Sequence, residues 1–451
     1  MLEQKFFNDF EKSVKESFVI DNNLFEKYDV KRGLRNHDRT GVLVGLTNIG
    51  DVVGYEKIGD KVRAVPGRLY YRGIDLFDIV HGFQAEGRHG FDETVFLLLS
   101  GRMPNKDELE EFSSYLASLR ELPDSFTNDM ILSMKGKDVL NLLARSVLGL
   151  YTLDDRADDL SLDNQIRQSL NLIAKFPCIV AYSYQALRHY FYRKTLSIRH
   201  PLEKLSTAEN FLYLIKGGNS YTKLAADVLD LALVIHAEHG GGNNSTFTMR
   251  VTSSTETDIY SATTSAIGSL KGPLHGGANF KVLNMMEDIK KNVKDWQNEK
   301  EVSDYLLKIL MKKAGDRTGK LYGVGHAVYT ISDPRAVLLK EKARELASAI
   351  GKEDEFELYA LVEKLTPSIF QKYKGDKTEK IVCVNVDFYS GFVYSCIGIP
   401  KDLFTPLFAM ARVPGWCAHR IEELNFCAKR IIRPAFKNVF GKVDYVPLDK
   451  R

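Results

Sequence analysis

Apolar side chains recur at intervals of three and four residues along most of this sequence, which is the spacing of one face of an α-helix. The pattern of a half-buried strand is confined to the first third of the chain. The sequence therefore predicts a mainly α protein. Eight segments carry the helical spacing: residues 94–101, 106–119, 138–151, 163–175, 208–215, 222–237, 301–314 and 335–350.

Two stretches in the first third, residues 47–58 and 61–71, combine β-branched and aromatic side chains with regularly placed glycines. Such residues favour strands, and the glycines between them favour turns. We therefore expect a small antiparallel β element near the N-terminus.

The best-marked helix start lies at Asp333, a residue type that caps helix N-termini, followed by Pro334, whose fixed φ suits the first helical position. Arg335 then falls in the first turn, where the helix dipole disfavours a cation. Either Arg335 bends away into solvent, or it holds a carboxylate or phosphate ligand together with the helix amides.

Composition describes an ordinary globular protein. The 451 residues are 44% hydrophobic, and 62 Lys plus Arg nearly balance 59 Asp plus Glu for a formal charge of +3. A nucleic-acid binder would show a clustered basic excess, so we expect no nucleic-acid partner. The length suggests about two or three domains, and the absence of repeats and Pro-rich linkers indicates that these domains share an interface.

We expect a cytoplasmic protein without a membrane partner. No apolar run approaches the length of a membrane span, and the N-terminus mixes acidic with basic residues, unlike a secretory or mitochondrial leader. The cysteines are odd in number, widely spaced and without a CxxC pair, so we expect them to be reduced and mostly buried. They are Cys178, Cys383, Cys396, Cys417 and Cys427.

Four histidines beside glycines or other small residues are candidates for chemistry. His236 and His239 lie in HAEHGGGNNST, His275 in GPLHGGAN and His326 in YGVGHAVY. Glycines let a ligand or the backbone approach a neighbouring side chain closely. A single histidine is more often structural, so the case depends on the set.

A second candidate set contains one carboxylate and three guanidinium groups. Asp387 leaves an apolar run in VNVDFYSG, and Arg335, Arg412 and Arg433 follow short motifs of their own. Partial desolvation would raise the pKa of Asp387 and make it a better base. Alternatively, Asp387 caps the helix that follows through residue 397.

Three chemical interpretations compete on these residues. The HxxH spacing of His236 and His239, completed by His275, His326 and Asp387, could form a metallohydrolase site, although helical zinc motifs place their histidines four apart. GGGNN could bind phosphate, but it lacks the Lys and Ser/Thr of a P-loop. The third interpretation is metal-free acid/base chemistry on a polyanionic substrate.

Three motifs in this order, GPLHGGAN, GVGHAVY followed by DPRA, and NVDFYSG, resemble citrate synthase. GRLYYRGIDLFDIV, FDETVFLLLSGRMPNKDELEEF, LNLIAKFPCIVAYSY and HAEHGGGNNST extend the resemblance over nearly the whole chain. It implies a homodimer with the mainly α, two-domain citrate synthase fold. A large helical domain would contain residues 1–281 and 396–451, and a smaller mobile helical domain, residues 282–395, would close over the active site.

The resemblance also implies catalytic roles. His275 would donate a hydrogen bond to the thioester carbonyl of acetyl-CoA, Asp387 would remove a methyl proton, and His326 would polarise the ketone of oxaloacetate. A thioester methyl is a weak acid, so the base needs the enolate oxygen to receive a hydrogen bond in the same step.

By the same resemblance, His239, Arg335 and Arg412 would hold the carboxylates of oxaloacetate, and Arg433 would reach into the partner's site. Burial of two carboxylates is costly unless guanidinium groups meet them. Arg335 would then have the anion that its helix position requires.

The chain departs from the family near the CoA phosphates, where many members carry a basic residue four positions after the GVGH histidine and this chain has Thr330. Nearby lysines are alternative phosphate ligands, and adenine would contact the main chain of the loop before His326. These candidates are Lys320, Lys377 and Lys380 for phosphate, and Tyr322, Gly323, Val324 and Gly325 for adenine.

The resemblance implies an acyltransferase that converts acetyl-CoA, oxaloacetate and water to citrate and CoA, the first step of the tricarboxylic acid cycle. Acetyl-CoA would be a co-substrate. We expect neither a metal nor a tightly bound cofactor. The alternative within the family is 2-methylcitrate synthase, which uses propionyl-CoA. One methylene is worth only about 1–3 kcal/mol in a pocket, so the sequence leaves this choice open. The DFYSG form resembles bacterial citrate synthases and favours acetyl-CoA. Outside the family, a metallohydrolase and a non-catalytic CoA sensor are the competing hypotheses.

Overall fold

The chain contains two compact units in a computed structural model that describes residues 2–38, 40–59, 61–218, 220–374, 382–427 and 429–451. The first unit combines Met1–Leu46 with Ile432–Arg451, and the second is Thr47–Ile431. The first unit contains helices α1, Leu2–Ser17, and α2, Asn23–Lys27, with 3-10 turns at Arg32–Leu34 and Leu448–Lys450.

A three-stranded antiparallel sheet opens the second unit, as the sequence predicts. Its strands are β1, Gly50–Ile58, β2, Lys61–Tyr71, and β3, Ile74–Asp75, in the order β1-β2-β3. Gly50 pairs with Tyr71 at the open end of the β1–β2 hairpin, and the register shifts beside Gly54. A Cβ on Gly54 would lie 2.6 Å from the carbonyl oxygen of Val328, so this strand needs glycine to approach the segment around His326.

Helices make up most of the rest of the second unit. Its first half contains α3 Leu76–Ala85, α4 Phe91–Ser100, α5 Lys106–Ser118, α6 Asp124–Phe126, α7 Val139–Gly149, α8 Leu162–Tyr192, α9 Thr207–Lys216 and α10 Lys223–His236. Its second half contains α11 Asn244–Ser253, α12 Ile259–Lys271, α13 Ala278–Asn292, α14 Glu299–Leu310, α15 Pro334–Ala349, α16 Glu353–Lys374, α17 Asp387–Cys396 and α18 Phe404–Leu424. A π-helical turn, Thr127–Leu132, and 3-10 turns at Leu150–Leu153 and Lys401–Leu403 complete the elements.

All eight predicted helical segments are helical, with two changes of length. The segment predicted at 163–175 continues through Pro177 to Tyr192, and the segment predicted at 301–314 ends at Leu310. Asp333 caps α15 as predicted, because its side chain accepts a hydrogen bond from the backbone N–H of Arg335.

Helix α18 runs through the core of the second unit and packs against α4, α8, α10, α11 and α12. Trp416, near its middle, is completely buried. Helices α13 to α17 pack mainly against one another, and α15 also contacts α10 and α3. This packing places the C-terminal end of α10, the N-terminal ends of α15 and α17 and the middle of α18 near one another. The predicted domain boundaries at 281/282 and 395/396 stay a prediction.

The five cysteines are free thiols, but the expectation that most are buried is wrong. Cys178 and Cys417 are buried, Cys383 and Cys396 are half-buried, and Cys427 is exposed. Across the described ranges, no helix combines the length and apolar character needed to cross a membrane.

Candidate active site

The turn between α10 and α11 presents His239 to the interior. His236 ends α10, is 1% exposed, and its Nδ1 donates to the carbonyl oxygen of Ala232 at 2.7 Å. His239 is 7% exposed, and its Nε2 has no hydrogen-bond partner within the described residues. Burial, followed by the charges of Arg335, His326 and Arg412, holds the pKa of His239 well below its ordinary value. The ring is therefore neutral at pH 7.

Arg412 on α18 faces the same turn. Its Nε donates to the carbonyl oxygen of His236 at 2.5 Å, and its guanidinium lies 4.9 Å from the centre of the Phe408 ring. Nη1 and Nη2 are buried without a hydrogen-bond partner in the described part of the chain. Burial lowers the pKa of Arg412 to about 10, which still leaves it a cation at neutral pH. Two unpartnered donors on a buried cation indicate a place for an anion.

Arg335, in the first turn of α15, is 4% exposed, so the interpretation of a solvated arginine is wrong. Its Nε and Nη2 donate to Asp333 at 3.0 and 2.8 Å, a fork that fixes the plane of the guanidinium. Asp333 also accepts from the backbone N–H of Val386 at 3.2 Å. The helix cap of α15 therefore orients a buried arginine and also anchors the segment just before Asp387.

His326 stacks on Tyr329, with ring centres 4.6 Å apart, and meets the edge of His239 at 5.1 Å. Its Nδ1 accepts hydrogen bonds from the backbone N–H groups of Val328 and Tyr329 at 3.0 and 3.1 Å. A neutral His326 ring then carries its proton on Nε2. The local backbone thereby selects the tautomer that can donate from Nε2.

A short antiparallel bridge between Val324 and Val384 brings the His326 loop beside the start of α17. Asn385 strengthens it, because its N–H donates to the carbonyl of Gly323 and its amide to the carbonyl of Gly325, both at 2.9 Å. Gly323 has a φ of +72°, and a Cβ there would lie 3.0 Å from Cα of Phe388. Only glycine allows this approach without strain.

Asp387 is the first residue of α17, and its side chain does not cap the helix. The capping interpretation is therefore wrong, and its carboxylate is available for chemistry. Burial raises the pKa of Asp387 to about 6; Arg335 opposes this shift and Asp333 adds to it. At pH 7 the carboxylate is mostly ionised and is a stronger base than an ordinary aspartate.

His275 lies in the turn between α12 and α13, half-buried. Its Nε2 faces Ser245, whose backbone N–H donates at 3.4 Å and whose hydroxyl lies 3.1 Å away. With Nε2 as acceptor, the neutral ring carries its proton on Nδ1. Burial, followed by the charge of Arg412, lowers the pKa of His275 to about 4, so the ring is a neutral donor at pH 7.

The next residue, Gly276, fixes this turn. Its N–H donates to the carbonyl of Leu270 at 3.0 Å, and Thr405 donates its hydroxyl to the carbonyl of Gly276 at 2.9 Å. A Cβ on Gly276 would lie 2.7 Å from the methyl group of Thr405. The glycine beside His275 is therefore required by close packing against the start of α18.

The candidates for CoA binding are less enclosed. Lys320 is exposed, and the Tyr322 hydroxyl donates to Asp316 at 2.5 Å. The N–H of Gly325 donates to the carbonyl oxygen of Cys383 at 2.8 Å, and the carbonyls of Gly323 and Gly325 accept hydrogen bonds from Asn385. Part of the main chain predicted to contact adenine is therefore already hydrogen-bonded within the protein. The hydroxyl of Thr330 is buried and, among the described residues, has no partner.

For three further sequence candidates the predicted roles stay predictions. Lys377 and Lys380 lie outside the described residues. Arg433 is exposed and belongs to the first compact unit. Its predicted role across a dimer stays a prediction.

The metallohydrolase interpretation finds no support in the arrangement. The described ranges contain no group of three or more His, Cys, Asp or Glu side chains placed to hold a metal ion.

Several residues of the site were not identified from the sequence. Asp333 was recognised only as a cap, although its place two residues before Arg335 could have indicated the ion pair. Tyr329, Ser245 and Asn385 orient His326, His275 and the Asp387 segment. They lie within the quoted motifs GVGHAVY, HAEHGGGNNST and NVDFYSG, but no role is predicted for them from the sequence. Their roles depend on contacts that arise only when the helices pack.

Comparison with known proteins identifies relatives along nearly the whole chain. Residues 37–435 match the family model "Citrate synthase, C-terminal domain". A citrate synthase of Haloferax volcanii is 34% identical, over 94% of this chain and 99% of that protein. One from Synechocystis sp. is 36% identical, over 86% and 90%. A 2-methylcitrate synthase of Shewanella oneidensis is 32% identical, over 85% and 90%.

Solved structures show the same fold. A citrate synthase from Pyrobaculum aerophilum matches with a TM-score of 0.73 and 31% identity, over 92% of this chain and 95% of that one. A citrate synthase from Thermoplasma acidophilum, solved as a ternary complex with carboxymethyl coenzyme A and oxaloacetate, matches with a TM-score of 0.75 and 26% identity, over 94% and 99%.

Proposed function

We propose, since this chain belongs to the citrate synthase family, that it condenses acetyl-CoA with oxaloacetate and water to give citrate and CoA. The observation that carries the proposal is a set of buried polar atoms, Arg412 Nη1, Arg412 Nη2 and His239 Nε2, that have no partner among the described residues and lie beside the buried Arg335. Such a set fits the two carboxylates of a small keto-acid dianion.

Substrate binding begins at these groups. Arg335, held by Asp333, and Arg412, held by the carbonyl of His236, offer charged donors whose orientation is fixed before the ligand arrives. His239 adds a neutral ring, with Nε2 as acceptor or donor according to its tautomer. His326, which meets the His239 ring, would place its Nε2–H on the ketone oxygen.

Proton removal from the acetyl methyl group is assigned to Asp387. Its carboxylate takes the proton, and the electron pair of the C–H bond moves into the enolate of the thioester. His275 would donate from Nδ1 to the enolate oxygen, which stabilises the charge as it develops. A neutral imidazole suits this role, because it can donate a hydrogen bond without bringing a second full charge into the pocket.

The enolate carbon then attacks the ketone carbon of oxaloacetate. The carbon–carbon bond forms, the ketone oxygen becomes a hydroxyl with its proton supplied through His326, and citryl-CoA results. Water cleaves the thioester, releasing citrate and the CoA thiol. Exclusion of water until this stage would protect acetyl-CoA, which agrees with the predicted closure of residues 282–395.

The proposal includes a homodimer in the cytoplasm. Large apolar side chains around the end of α7 and the start of α8 are 38–51% exposed, more than a solitary surface normally leaves uncovered in one stretch. A second copy of the chain would cover them, and Arg433 would then act in the partner's site. The exposed residues are Leu148, Tyr151, Leu153, Leu162 and Ile166.

Thiol release tests the proposal. Purified protein is given oxaloacetate with acetyl-CoA or with propionyl-CoA, in the presence of EDTA, and free CoA is followed with a thiol reagent. We expect rapid release with acetyl-CoA and slower release with propionyl-CoA. A preference for propionyl-CoA would instead assign the chain to 2-methylcitrate synthesis, an activity also named among its relatives. No release from either thioester would overturn the proposal.

A further inference from the structure

A chain of buried charges lies behind the turn that carries His239. Glu238 and His419 are both 0% exposed, and Nε2 of His419 lies 2.9 Å from Oε1 of Glu238. Arg250 donates from Nε to Nδ1 of His419 at 3.0 Å and is itself paired with Glu422 and, at 2.7 Å, with Glu423. None of these groups is used in the proposed chemistry.

The direction of the hydrogen bonds follows from the geometry. Because Nδ1 of His419 faces the N–H groups of Arg250, it accepts, and the imidazole proton resides on Nε2. His419 therefore donates to Glu238, which favours the ionised carboxylate. Burial alone would raise the pKa of Glu238, but His419, Arg412 and the N–H of Gly240 together hold it below its ordinary value.

The same oxygen, Oε1 of Glu238, also accepts from the backbone N–H of Gly240. Gly240 follows His239 directly and has a φ of +78°, so this bond closes the tight turn around His239. The Tyr71 hydroxyl lies 3.3 Å from both the backbone N and O of Glu238 and donates to the carbonyl of Val234 at 3.0 Å. The turn is thus held by β2 on one side and by His419 of α18 on the other.

Two glycines make room for the carboxylate. A Cβ on Gly50 would lie 2.8 Å from Cγ of Glu238, and a Cβ on Gly415 would lie 2.6 Å from Oε2. Two separate parts of the chain, β1 and α18, therefore leave space for this one side chain. The His239 ring packs against His326 and Tyr329, but its Nε2 has no hydrogen-bond partner in the residues that the structure describes.

We propose that Glu238 is a positioning residue for the keto-acid site, holding the His239 turn through Gly240 on one side and His419 on the other. The residue does not touch the substrate in this account; it sets where the His239 ring stands relative to Arg335 and Arg412. The inference deepens the proposed function and rests on it for the identity of the ligand, oxaloacetate.

Glu238→Ala should change oxaloacetate binding through two effects of opposite sign, the loss of a charge and the loss of a positioning contact. Loss of a nearby negative charge would, by electrostatics alone, strengthen the binding of a dianion. Loss of position would weaken it, and displacement of a binding group by about 1 Å costs as much as about a hundredfold. We expect the dissociation constant of oxaloacetate, measured by calorimetry without CoA, to rise about tenfold or more. The KM for acetyl-CoA should change less than about twofold.

Glu238→Gln and a double variant refine the test. Glutamine retains an oxygen that can accept from Gly240 and His419, so it should recover most of the affinity that Glu238→Ala loses. Glu238→Ala combined with His419→Ala should bind oxaloacetate about as weakly as Glu238→Ala alone, because His419 is proposed to act on the His239 turn through Glu238. An additive loss would contradict that coupling.

Asp230→Asn is the matched control. Asp230 is also a buried carboxylate, lies on α10 near the same turn, and accepts from the backbone N–H groups of Gly90 and Phe91 at 2.6 and 3.3 Å. Its loss should lower the melting temperature without changing oxaloacetate affinity. Equal loss of affinity in Asp230→Asn, or unchanged or tighter binding in Glu238→Ala, would overturn the proposal.

A readout without substrate separates this inference from the proposed function. In protein with labelled histidines, the ring resonance of His239, assigned with His239→Gln, should move in Glu238→Ala and stay in place in Asp230→Asn. If it moves while the wild type releases no thiol, the proposed function fails and the positioning role stands. If it does not move, the positioning role fails whatever the activity.

Discussion

Two groups of basic residues are assigned to anions in this protein, and they differ in burial. The keto-acid set, His239, Arg335 and Arg412, is 0–7% exposed. On the CoA side, Lys320 is exposed at the surface of the loop that leads to His326. The first set is enclosed by packed helices, and the second borders solvent.

The difference separates two ways of binding an anion. In the buried set each guanidinium has a fixed partner, Asp333 for Arg335 and the carbonyl of His236 for Arg412, so geometry is settled before binding and salt screens little. An exposed lysine contributes a weaker interaction that falls with ionic strength. Substitutions in the first set should therefore cause large, salt-independent losses, and those in the second small, salt-dependent ones.

The largest effect is expected at Asp387, which belongs to neither set. Asp387→Ala should lower turnover by about a thousandfold, because the base is lost, while oxaloacetate binding stays nearly intact. Thiol release and calorimetry on the same preparation measure both quantities. Equal loss of turnover and of oxaloacetate affinity would contradict the role as base.

Arg412→Gln should raise the KM for oxaloacetate by about a hundredfold and change the KM for acetyl-CoA little, since a buried charged contact is lost from one substrate only. Arg420→Gln is the matched control. It removes a buried arginine of the same helix whose guanidinium donates to Ser253 and Thr257, away from the substrate. A similar KM change in both variants would indicate a general effect on α18.

The pH profile of kcat/KM should show an acid limb at about 6, the raised pKa of Asp387. The base is ionised above this pH and protonated below it, so activity should fall about tenfold for each further pH unit of acidification. Circular dichroism at each pH checks that the chain stays folded. An acid limb near the ordinary aspartate value of 3.8 would show that burial does not control this carboxylate.

Arg433 is expected to act in the partner's site. Chains carrying Arg433→Ala and chains carrying Asp387→Ala, each inactive alone, should regain about a quarter of wild-type activity when mixed and reassembled. Half of the dimers are then hybrids, and each hybrid has one intact site. Absence of recovery in verified hybrid dimers would exclude the role across the interface.

The smallest effect is expected on the CoA side. Lys320→Ala should raise the KM for acetyl-CoA only about two- to threefold at low salt, and this difference should shrink as salt rises from about 50 mM to about 500 mM. Lys300→Ala, at another exposed lysine, should have no effect. A large, salt-independent change at Lys320 would place it with the buried set.

Most of the fold could be predicted from the sequence, because helical spacing, capping residues and strand composition are local properties. Asp333 and Pro334 marked the start of α15 correctly. The continuation of α8 through Pro177 was not predicted, since a proline inside a helix is tolerated there only because tertiary packing surrounds it.

The site could be predicted only in part. The sequence predicts His239, His275, His326, Arg335 and Arg412 as site residues, which stays a prediction, but it did not predict the groups that orient them. His419 lies 181 residues from Glu238, and no periodicity joins two such positions. Asp333, the ion-pair partner of Arg335, lies only two residues away in the sequence. Its position before Pro334 predicts a helix cap, and the ion pair was not predicted in addition.

Calorimetric titration of oxaloacetate into the wild-type protein, without CoA and at low and high salt, tests the central claim most directly. The buried set predicts one site per chain, with a dissociation constant that changes little between about 50 mM and about 200 mM salt. A dissociation constant that rises steeply over this range, or no binding of oxaloacetate, would contradict the assignment of His239, Arg335 and Arg412 to the substrate.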